Sequence, residues 1–492
     1  MKTYKLSALF LLIVLALTGC TDNNQKNTNT NKYLFSAEQS DIFPFYCIGQ
    51  DDKLWRVERH GATSTDIVVN YPSGSRSLNF VKYLKEEDTV IFATDIIVKN
   101  GQSLATIGQL TGQGQEIISE KIKLDTLRLK DNGDMLFIDE NDTLFFRRNG
   151  IAIKIEEGVA QSEFVDGDNF LFRLKKGQQT DGEYLYPIYS ATAEYRNHLM
   201  DAQDIVASDS ENGKAYIIKG RRTVQKRTSA VEVANLFVYA DGEILFEIPS
   251  VVLSQFQENK HIFLISCNEK ESTLKYDLYR IDSSQAVLKA KDILWGRYIS
   301  LNRDVYAYEI FENGTVKTKI IDYADNVSTY SLSQGCSLEN IFFSGQDVYV
   351  FEDGALRVLE NGAVSLTLQT GINAVKNTEN GLILFKGKTP PYSVSVCKNK
   401  TIKNTAGNVQ SNKVLYKDEN LYYYTGEGND LSLVDATGVV TAFTSNIDTN
   451  IGFIVKQGTV AVAKFDDKTL HIVSQSGIIN AGLKIKKFVT EV

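Results

Sequence analysis

Residues 134–158 read DMLFIDENDTLFFRRNGIAIKIEEG, and residues 347–371 read DVYVFEDGALRVLENGAVSLTLQTG. Both stretches open with an aspartate and an apolar run, turn through acidic residues or glycine, and continue into a second run. Asn-Gly then leads into a third run that ends at a glycine, and the two stretches have the same length. Short runs separated by tight turns predict consecutive antiparallel strands. We interpret the two stretches as copies of one repeated β unit.

The same turn chemistry recurs along the rest of the chain. Asn-Gly and Asp-Gly favour the two-residue type I′ turn, because both positions of that turn require a positive φ. These pairs begin at residues 100, 132, 149, 212, 313, 361 and 380 for Asn-Gly, and at residues 166, 181, 241 and 353 for Asp-Gly. Their number, between strand-like runs, predicts an antiparallel all-β fold.

Strand-like runs start at fairly regular intervals, mostly between about 34 and 47 residues, and such periods are typical of propeller blades. The starts lie near Tyr46, Val90, Met135, Phe170, Ala215, Ile262, Val305, Val348, Leu382, Leu421 and Val460. We therefore predict an all-β fold, a β-propeller of four-stranded antiparallel blades, over residues 39–492. The first strand of a blade should be buried on both faces and read as a continuous apolar run.

The number of starts exceeds the usual four to eight blades. Some starts could belong to outer hairpins, which would give seven to eight blades, or the chain could form two smaller propellers. The regular spacing of strand-like runs is interrupted at residues 193–206 and 214–235, so a subdivision of the domain would fall near residues 193–235. The first of these stretches could hold a short helix.

Three segments share a short motif, Leu54-Trp-Arg-Val57, Leu278-Tyr-Arg-Ile-Asp282 and Leu431-Ser-Leu-Val-Asp435. The motif resembles the LYxID strand of bacterial periplasmic propellers, in which a turn and another strand follow. The resemblance implies the propeller fold and carries no activity.

The N-terminus has the layout of a secretory signal, with Lys2 and Lys5 before an apolar run over residues 6–17 that is too short to span a bilayer. The run ends in Leu17-Thr18-Gly19-Cys20, which resembles the lipobox of bacterial lipoproteins. That resemblance implies that residues 1–19 are a signal peptide and that Cys20 is acylated and becomes the first residue. Residues 20–38 are then the lipidated cysteine and a disordered tether, because residues 21–32 read TDNNQKNTNTNK without an apolar residue. The protein is expected to be extracytoplasmic, on the cell membrane or the outer membrane.

Composition excludes several classes of partner and site. The net charge is −8, and loss of Lys2 and Lys5 with the signal makes it more negative, so nucleic acid is not an expected partner. Besides Cys20, the cysteines are Cys47, Cys267, Cys336 and Cys397, without the C-x-x-C spacing of a zinc site. We interpret these four as buried small residues and leave one disulfide open as an alternative.

Candidate catalytic groups are sparse. His60, His198, His261 and His471 have no metal-type spacing, and no G-x-S-x-G elbow is present. Acidic clusters at residues 139–142, 166–168 and 466–467 are interpreted as solvated turns, with calcium binding as the alternative. We predict no catalytic residue, metal or cofactor. One basic cluster could bind an anion, and it comprises Lys219, Arg221, Arg222, Lys226 and Arg227.

These features predict a lipid-anchored propeller lipoprotein that acts as a binding or assembly module of the cell envelope, with a protein or polymer as its partner. An envelope enzyme acting on polysaccharide or a similar polymer is the alternative. It requires two or three acids or histidines that converge at the mouth of the propeller channel. A structural or sensory ectodomain is a third interpretation, because fold alone does not give function.

Overall fold

The computed structural model describes residues 32–34, 42–69, 81–84, 88–112, 114–209, 212–226, 229–254, 262–300, 304–330, 332, 337–361, 363–378, 380–426, 429–456, 459–474 and 477–489. The expected signal peptide, Cys20, most of the tether, Cys336, His261 and Arg227 lie outside these ranges. Almost all of the described chain is strand, with 3-10 turns at Leu124–Thr126 and Leu338–Asn340. None of the helices in the described ranges has the length and apolar character needed to cross a membrane.

The strands group into four-stranded antiparallel units, which we number in chain order. Unit 1 contains β2 (Phe45–Gly49), β3 (Lys53–Glu58) and β4 (Gly61–Val68), with β1 (Lys32–Leu34) on the outer edge. Unit 2 is β5 (Val81–Leu84), β6 (Thr89–Lys99), β7 (Gln102–Thr111) and β8 (Gly114–Lys123). Unit 3 is β9 (Arg128–Leu129), β10 (Met135–Ile138), β11 (Leu144–Arg148) and β12 (Ile151–Glu156).

Units 4 to 7 follow in chain order, and two of their strands are each shared by two of these units. Unit 4 is β13 (Val159–Asp166), β14 (Asn169–Leu174), β16 (Glu183–Ala191) and β17 (Arg196–Ala202), with β15 (Gln178–Thr180) beside β16. Unit 5 is β18 (Asp204–Asp209), β19 (Lys214–Lys226), β20 (Ser229–Ala240) and β21 (Glu243–Val252). Unit 6 is the end of β21, β22 (Phe263–Cys267), β23 (Tyr276–Ile281) and the first half of β24 (Ala286–Ser300). Unit 7 is the second half of β24, β25 (Val305–Glu312), β26 (Thr315–Ile321) and β27 (Val327–Tyr330).

The remaining units follow the same order. Unit 8 is β28 (Ile341–Ser344), β29 (Asp347–Glu352), β30 (Ala355–Glu360) and β31 (Ala363–Thr370). Unit 9 is β32 (Ala374–Thr378), β33 (Gly381–Lys386), β34 (Tyr392–Lys398) and β35 (Thr401–Val409). Unit 10 is β36 (Leu415–Lys417), β37 (Asn420–Thr425), β38 (Asp430–Val434) and β39 (Val440–Thr444). Unit 11 is β40 (Phe453–Lys456), β41 (Thr459–Ala463), β42 (Thr469–Ser474) and the first half of β43 (Gly477–Val489).

The first and last units are joined by hydrogen bonds. The end of β43 pairs with β2, with Tyr46 opposite Val489 and Cys47 opposite Phe488, and so becomes the inner strand of unit 1. A core cluster that includes Trp55 and Leu470 packs units 1 and 11 together. The two ends of the described chain therefore share one unit, as expected for a closed propeller.

Hydrophobic packing continues around the whole ring. Eleven clusters of buried residues each join neighbouring units. Within the described ranges no cluster joins distant units, apart from the one that closes the ring. The strands and their packing thus form one continuous ring.

The predicted fold class, an all-β propeller of four-stranded antiparallel blades, is confirmed. The ring has eleven units, more than the expected seven to eight, because each strand start found in the sequence belongs to the second strand of a different unit. None of these starts is the outer hairpin of a wider blade. In the described part of residues 193–235, hydrophobic packing continues from unit 4 through units 5 and 6, and the subdivision considered there stays a prediction. The short helix considered for residues 193–206 is wrong, because Arg196–Ala202 is a strand that pairs with β16.

The turn chemistry is confirmed in detail. Both residues of six Asn-Gly or Asp-Gly pairs have a positive φ, as a type I′ turn requires, and these pairs begin at residues 100, 149, 181, 241, 313 and 353. The LYxID-like segments all lie in the third strands of their units, β3, β23 and β38. Asp435 then holds the following turn, because its Oδ1 accepts hydrogen bonds from the backbone N–H of Thr437 and Val439.

One burial expectation is wrong. The continuous apolar runs are the second strands of the units, and Met135–Ile138 is buried throughout. The first strands are short and partly exposed, as in Arg128–Leu129 and Ala374–Thr378. The second strand has a neighbouring unit on each face, whereas the innermost strand has no strand beyond it on the side of the ring axis.

The seam between β43 and β2 allows a stability test. Phe488 is 3% exposed, and its ring centroid lies 6.1 Å from that of Phe45. Phe488→Ala should lower the free energy of unfolding by about 3–5 kcal/mol, because it opens a cavity in the seam. Lys487→Ala, on the same strand but exposed, is the control and should change it by less than about 0.5 kcal/mol. Urea unfolding measures both values.

Hydrogen exchange distinguishes a closed ring from an open array. In the Phe488→Ala variant, amide protection of Phe45–Gly49 should fall although these residues lie at the other end of the chain. Unchanged protection of Phe45–Gly49 would show that the chain ends do not stabilise each other in solution.

Candidate binding cleft

The ring has two faces, defined by the turns within each unit. Because successive strands are antiparallel, the turns from strand one to two and from strand three to four lie on one side, which we call face 1. The turns from strand two to three and the links between units lie on the other side, face 2. In unit 3, the turn at residues 130–134 is on face 1 and the turn at residues 139–143 is on face 2.

Two neighbouring cavities open on face 1 and together form what we call the face 1 cleft. Cavity A has a volume of about 450 Å³ and lies between the inner strands of units 3, 4 and 5. Cavity B has a volume of about 420 Å³ and lies between the face 1 turns of units 4 to 7. Strand β13 connects them, because Glu163 and Phe164 line cavity A and Asp166 lines cavity B.

An ion pair between two units fixes the wall of cavity A. Arg128 of β9 donates two hydrogen bonds to Glu163 of β13, from Nη2 to Oε1 at 2.7 Å and from Nε to Oε2 at 2.8 Å. Its Nη1 donates to the carbonyl oxygen of Asp125 at 2.9 Å. A two-pronged Arg–carboxylate pair has a defined geometry, so this wall is rigid and its carboxylate is neutralised.

Lys130 forms the floor of the same cavity. Its ammonium lies 4.4 Å from the centre of the Phe164 ring and donates a hydrogen bond to the carbonyl oxygen of Gly167. Burial lowers the pKa of Lys130, and the nearby carboxylates of Asp134, Asp166 and Asp168 oppose that change. The ammonium is therefore held by an aromatic face and a carbonyl, and no carboxylate of the described residues forms an ion pair with it.

Cavity B contains a second buried lysine. Lys214 is only 9% exposed, and its Nζ donates a hydrogen bond of 2.7 Å to the carbonyl oxygen of Asp282 in unit 6. Burial lowers the pKa of Lys214, while the charges of Asp209 and Asp282 raise it. The bond connects units 5 and 6 across the floor of the cleft.

The rim of cavity B on the side of unit 7 presents a tyrosine. Arg280 donates to Oδ1 of Asp282 at 2.8 Å and to the carbonyl oxygen of Tyr323 at 2.7 Å. The guanidinium also lies 5.4 Å from the centre of the Tyr323 ring. Tyr323 is 54% exposed, so the arginine holds an aromatic surface at the edge of the cleft.

The carboxylates that line the cleft are mostly engaged within the protein. Asp166 accepts a hydrogen bond from Asn169 at 2.7 Å, and Asp209 accepts one from Asn212 at 2.8 Å. Burial raises the pKa of the carboxyls of Asp204 and Glu309, but neither residue lines cavity A or cavity B. Asp282 accepts a hydrogen bond from Arg280 at 2.8 Å, so three of the four aspartates that line cavity B have a partner within the protein.

The histidines are dispersed around the ring. His60 is exposed in a turn of unit 1, and His198 is exposed in unit 4 with Nε2 3.0 Å from Oδ1 of Asp201. His471 is half-buried in unit 11, and burial lowers its pKa. These three do not line the face 1 cleft.

The predicted basic cluster lies on the long hairpin of β19 and β20. Arg222 forms an ion pair with Glu269 of unit 6 and donates to Oγ of Ser250 at 2.7 Å. Lys226 donates to the carbonyl oxygens of Glu269 and Glu271. Two members of the cluster thus fasten the hairpin to unit 6.

The other members of the cluster are more open. Arg221 is exposed, and its Nε lies 3.5 Å from Glu232 of the same hairpin. Lys219 lies in β19, before the bulge that separates it from Arg222. Arg227 is outside the described residues. Anion binding by Lys219, Arg221, Arg222, Lys226 and Arg227 stays a prediction.

The acidic clusters occupy turns, as expected. Asp139 Oδ1 accepts hydrogen bonds from the backbone N–H of Asn141 and Thr143. Burial raises the pKa of Asp142, but hydrogen bonds from Lys123 and Lys175 hold it below its usual value. In the described part of the chain, no group of three or more His, Cys, Asp or Glu side chains is arranged to hold a metal ion. Cys47, Cys267 and Cys397 are free and buried.

Sequence analysis missed the residues of the cleft. Arg128 and Lys130 flank a leucine just before a turn, and Lys214 directly follows one. In the sequence, the signal for such a cleft residue is a charged side chain next to a continuous apolar run. A solvated turn that follows a buried strand shows the same pattern. Lys214 and Asp282 come together only when units 5 and 6 pack side by side in the ring.

The comparisons with known proteins concern the fold. No protein-family model matches the sequence, and no curated protein matches it. Among solved structures, the chain is similar to the β-propeller domain of the Trilobed protease from Pyrococcus furiosus, with 12% identity, a TM-score of 0.20, and coverage of 80% of this chain and 95% of that chain.

Two further solved structures show likenesses of the same kind. For a eukaryotic initiation factor the identity is 9%, the TM-score 0.34, and the coverage 69% of this chain and 94% of that chain. For Porphyromonas gingivalis dipeptidyl peptidase 4 the identity is 12%, the TM-score is 0.31, and the coverage is 74% of this chain and 59% of that chain. The chain thus spans less than two thirds of the dipeptidyl peptidase. The class of protein defined by the fold and cleft is a β-propeller with an open polar cleft on one face.

Proposed function

We propose that this chain is a lipid-anchored extracytoplasmic lipoprotein whose propeller binds a protein or polymer of the cell envelope. One observation carries the binding role: the charged side chains of the face 1 cleft are fixed by partners from neighbouring units. The pair of Arg128 and Glu163 and the bond from Lys214 to Asp282 are examples. A rigid surface loses little conformational entropy on binding, which suits recognition.

The chemistry of the cleft suits a polar partner that lies across several units. Cavity A presents the ammonium of Lys130 and the hydroxyl of Ser208, and cavity B presents Asp241 and the exposed ring of Tyr323. The lining of the cleft thus contains positive, neutral and negative groups, with aromatic surface at its edge. Tyrosine and arginine are enriched in protein interfaces.

The position of β1 supports the anchor. β1 pairs with β4 at the outer edge of unit 1, so a tether that precedes Lys32 joins the ring at its rim. Eleven residues between Cys20 and Lys32 would reach roughly 20 Å as a flexible coil. The face 1 cleft lies in units 3 to 7, away from that point of attachment, and would stay open to envelope partners.

The alternative of a polysaccharide-active enzyme has less support. It requires two or three acids or histidines that converge at the channel mouth, and an acid and a base at suitable separation. The described histidines lie in units 1, 4 and 11, and Glu163 of the cleft is neutralised by Arg128. Four aspartates line cavity B, but Asp166, Asp209 and Asp282 accept hydrogen bonds from Asn169, Asn212 and Arg280. Dispersed histidines and carboxylates engaged within the protein favour a binding module.

Acylation of Cys20 tests the anchor. Metabolic labelling with a clickable fatty-acid analogue should mark the wild type and leave Cys20→Ser unlabelled. Cys47→Ser is the control and should be labelled like the wild type, because Cys47 is buried in the ring. Equal labelling of wild type and Cys20→Ser would refute the anchor.

Photo-crosslinking in intact cells tests the binding role of the cleft. A photoreactive phenylalanine derivative in place of Ser208, which lines cavity A, should give an adduct of defined mass. The same group in place of Val364, 42% exposed on an outer strand of unit 8, should not give that adduct. Failure to obtain an adduct specific to the Ser208 position would contradict the proposal.

A further inference from the structure

A third cavity lies on face 2, between units 9 and 10, and none of the features above uses it. Its volume is about 650 Å³, larger than that of cavity A or cavity B. Three lysines and two aromatic residues line it, and its lining contains no aspartate or glutamate. In a chain with a net charge of −8, such a lining is a local reversal of charge.

Two of the lysines have no carboxylate partner among the residues that the structure describes. Lys376 lies on the inner strand β32, and Lys388 lies in the turn between β33 and β34. Within the described ranges, neither ammonium has an ion-pair partner. The third, Lys413, donates a hydrogen bond of 3.1 Å to the carbonyl oxygen of Thr449, a neutral acceptor. Three positive charges therefore converge on one cavity.

The apolar wall is built from Phe385 and Tyr392. Their rings meet edge to face, with centroids 5.7 Å apart and planes at 80°. Phe385 is buried in the core shared by units 9 and 10, and Tyr392 packs against that core while half-exposed. The wall is thus anchored by the core, and an aromatic surface is available to a ligand.

The turn that carries Lys388 is held in place. The backbone N–H of Gly387 donates a 2.7 Å hydrogen bond to Oδ1 of Asn373, and Gly387 has a φ of +103° that favours glycine. Asn373 also donates its backbone N–H to the carbonyl oxygen of Phe385 at 2.8 Å. The loop bearing the charge is therefore fastened to the strand bearing the aromatic wall.

We propose that this cavity binds an acidic oligosaccharide, a short glycan that carries carboxylates. Lysine ammonium groups attract carboxylates as point charges, and the amide side chain of Asn412, which also lines the cavity, can hydrogen-bond sugar hydroxyls. The half-exposed Tyr392 ring offers an apolar surface to the C–H face of a sugar ring. The volume lies in the range of small-molecule sites. The site is on the opposite face from the cleft and does not depend on the proposed function.

Titration calorimetry with the full-length protein in detergent tests this site. The probes are trigalacturonate, its carboxyl-reduced neutral counterpart and inorganic phosphate. Trigalacturonate should bind, the neutral trisaccharide should bind at least tenfold more weakly, and phosphate should not compete at equal concentration. Raising the salt concentration should weaken binding, because exposed charges are screened.

Matched variants locate the site. The double variant Lys376→Gln/Lys388→Gln should weaken trigalacturonate binding at least tenfold, and Tyr392→Ala should weaken it as well. Lys291→Gln/Lys403→Gln removes the same charge from exposed strand positions outside the cavity and should bind like the wild type. The thermal unfolding midpoint checks that each variant is folded.

Three outcomes would overturn the proposal. They are equal affinity for the charged and neutral trisaccharides, full competition by inorganic phosphate, and an unchanged affinity in the folded Lys376→Gln/Lys388→Gln variant. None of them bears on the anchor at Cys20 or on the crosslink from Ser208, so the two proposals fail independently.

Discussion

The pairing of β43 with β2 is the constraint on which the rest of the structure depends. It places Val489 opposite Tyr46, and it completes unit 1 with a strand from the far end of the chain. An open array of such units would expose an apolar sheet face and unpaired strand edges at both ends. The seam between Phe45 and Phe488 covers them, so each unit has a packed neighbour on both sides.

Ring closure also creates the binding surfaces. Each core cluster lies between neighbouring units, and the cavities lie above and below these junctions. Cavity A, for example, is lined by Arg128 of unit 3, Glu163 of unit 4 and Ser208 of unit 5. Its shape therefore depends on the packing of the units as well as on their own folding. A seam defect far from the cleft should loosen the cleft through the same packing.

Much of the fold could be predicted from sequence because its determinants are local. Asn149-Gly150 favours two positive φ values, which the turn adopts, and the apolar run Met135–Ile138 marks a buried strand, although not its place in the unit. The number of units was harder to predict from the sequence, because an outer hairpin and a short unit show the same local pattern of strands and turns. Only long-range pairing, such as Cys47 with Phe488, distinguishes them.

The cleft could not be predicted, because its partners are far apart in sequence. Arg128 and Glu163 are 35 positions apart, and Lys214 and Asp282 are 68 positions apart. The basic cluster illustrates the converse. Its charges are close together in sequence, yet Arg222 forms an ion pair with Glu269 of the next unit. Charge clustering in sequence does not show which charges the fold neutralises.

The most direct test of the account is an image of the ring. Electron cryomicroscopy of the full-length protein in detergent would give class averages viewed down the ring axis. The account predicts one closed ring with eleven spokes and no gap between the first and last. Seven or eight spokes, two separate rings, or an open arc would contradict it.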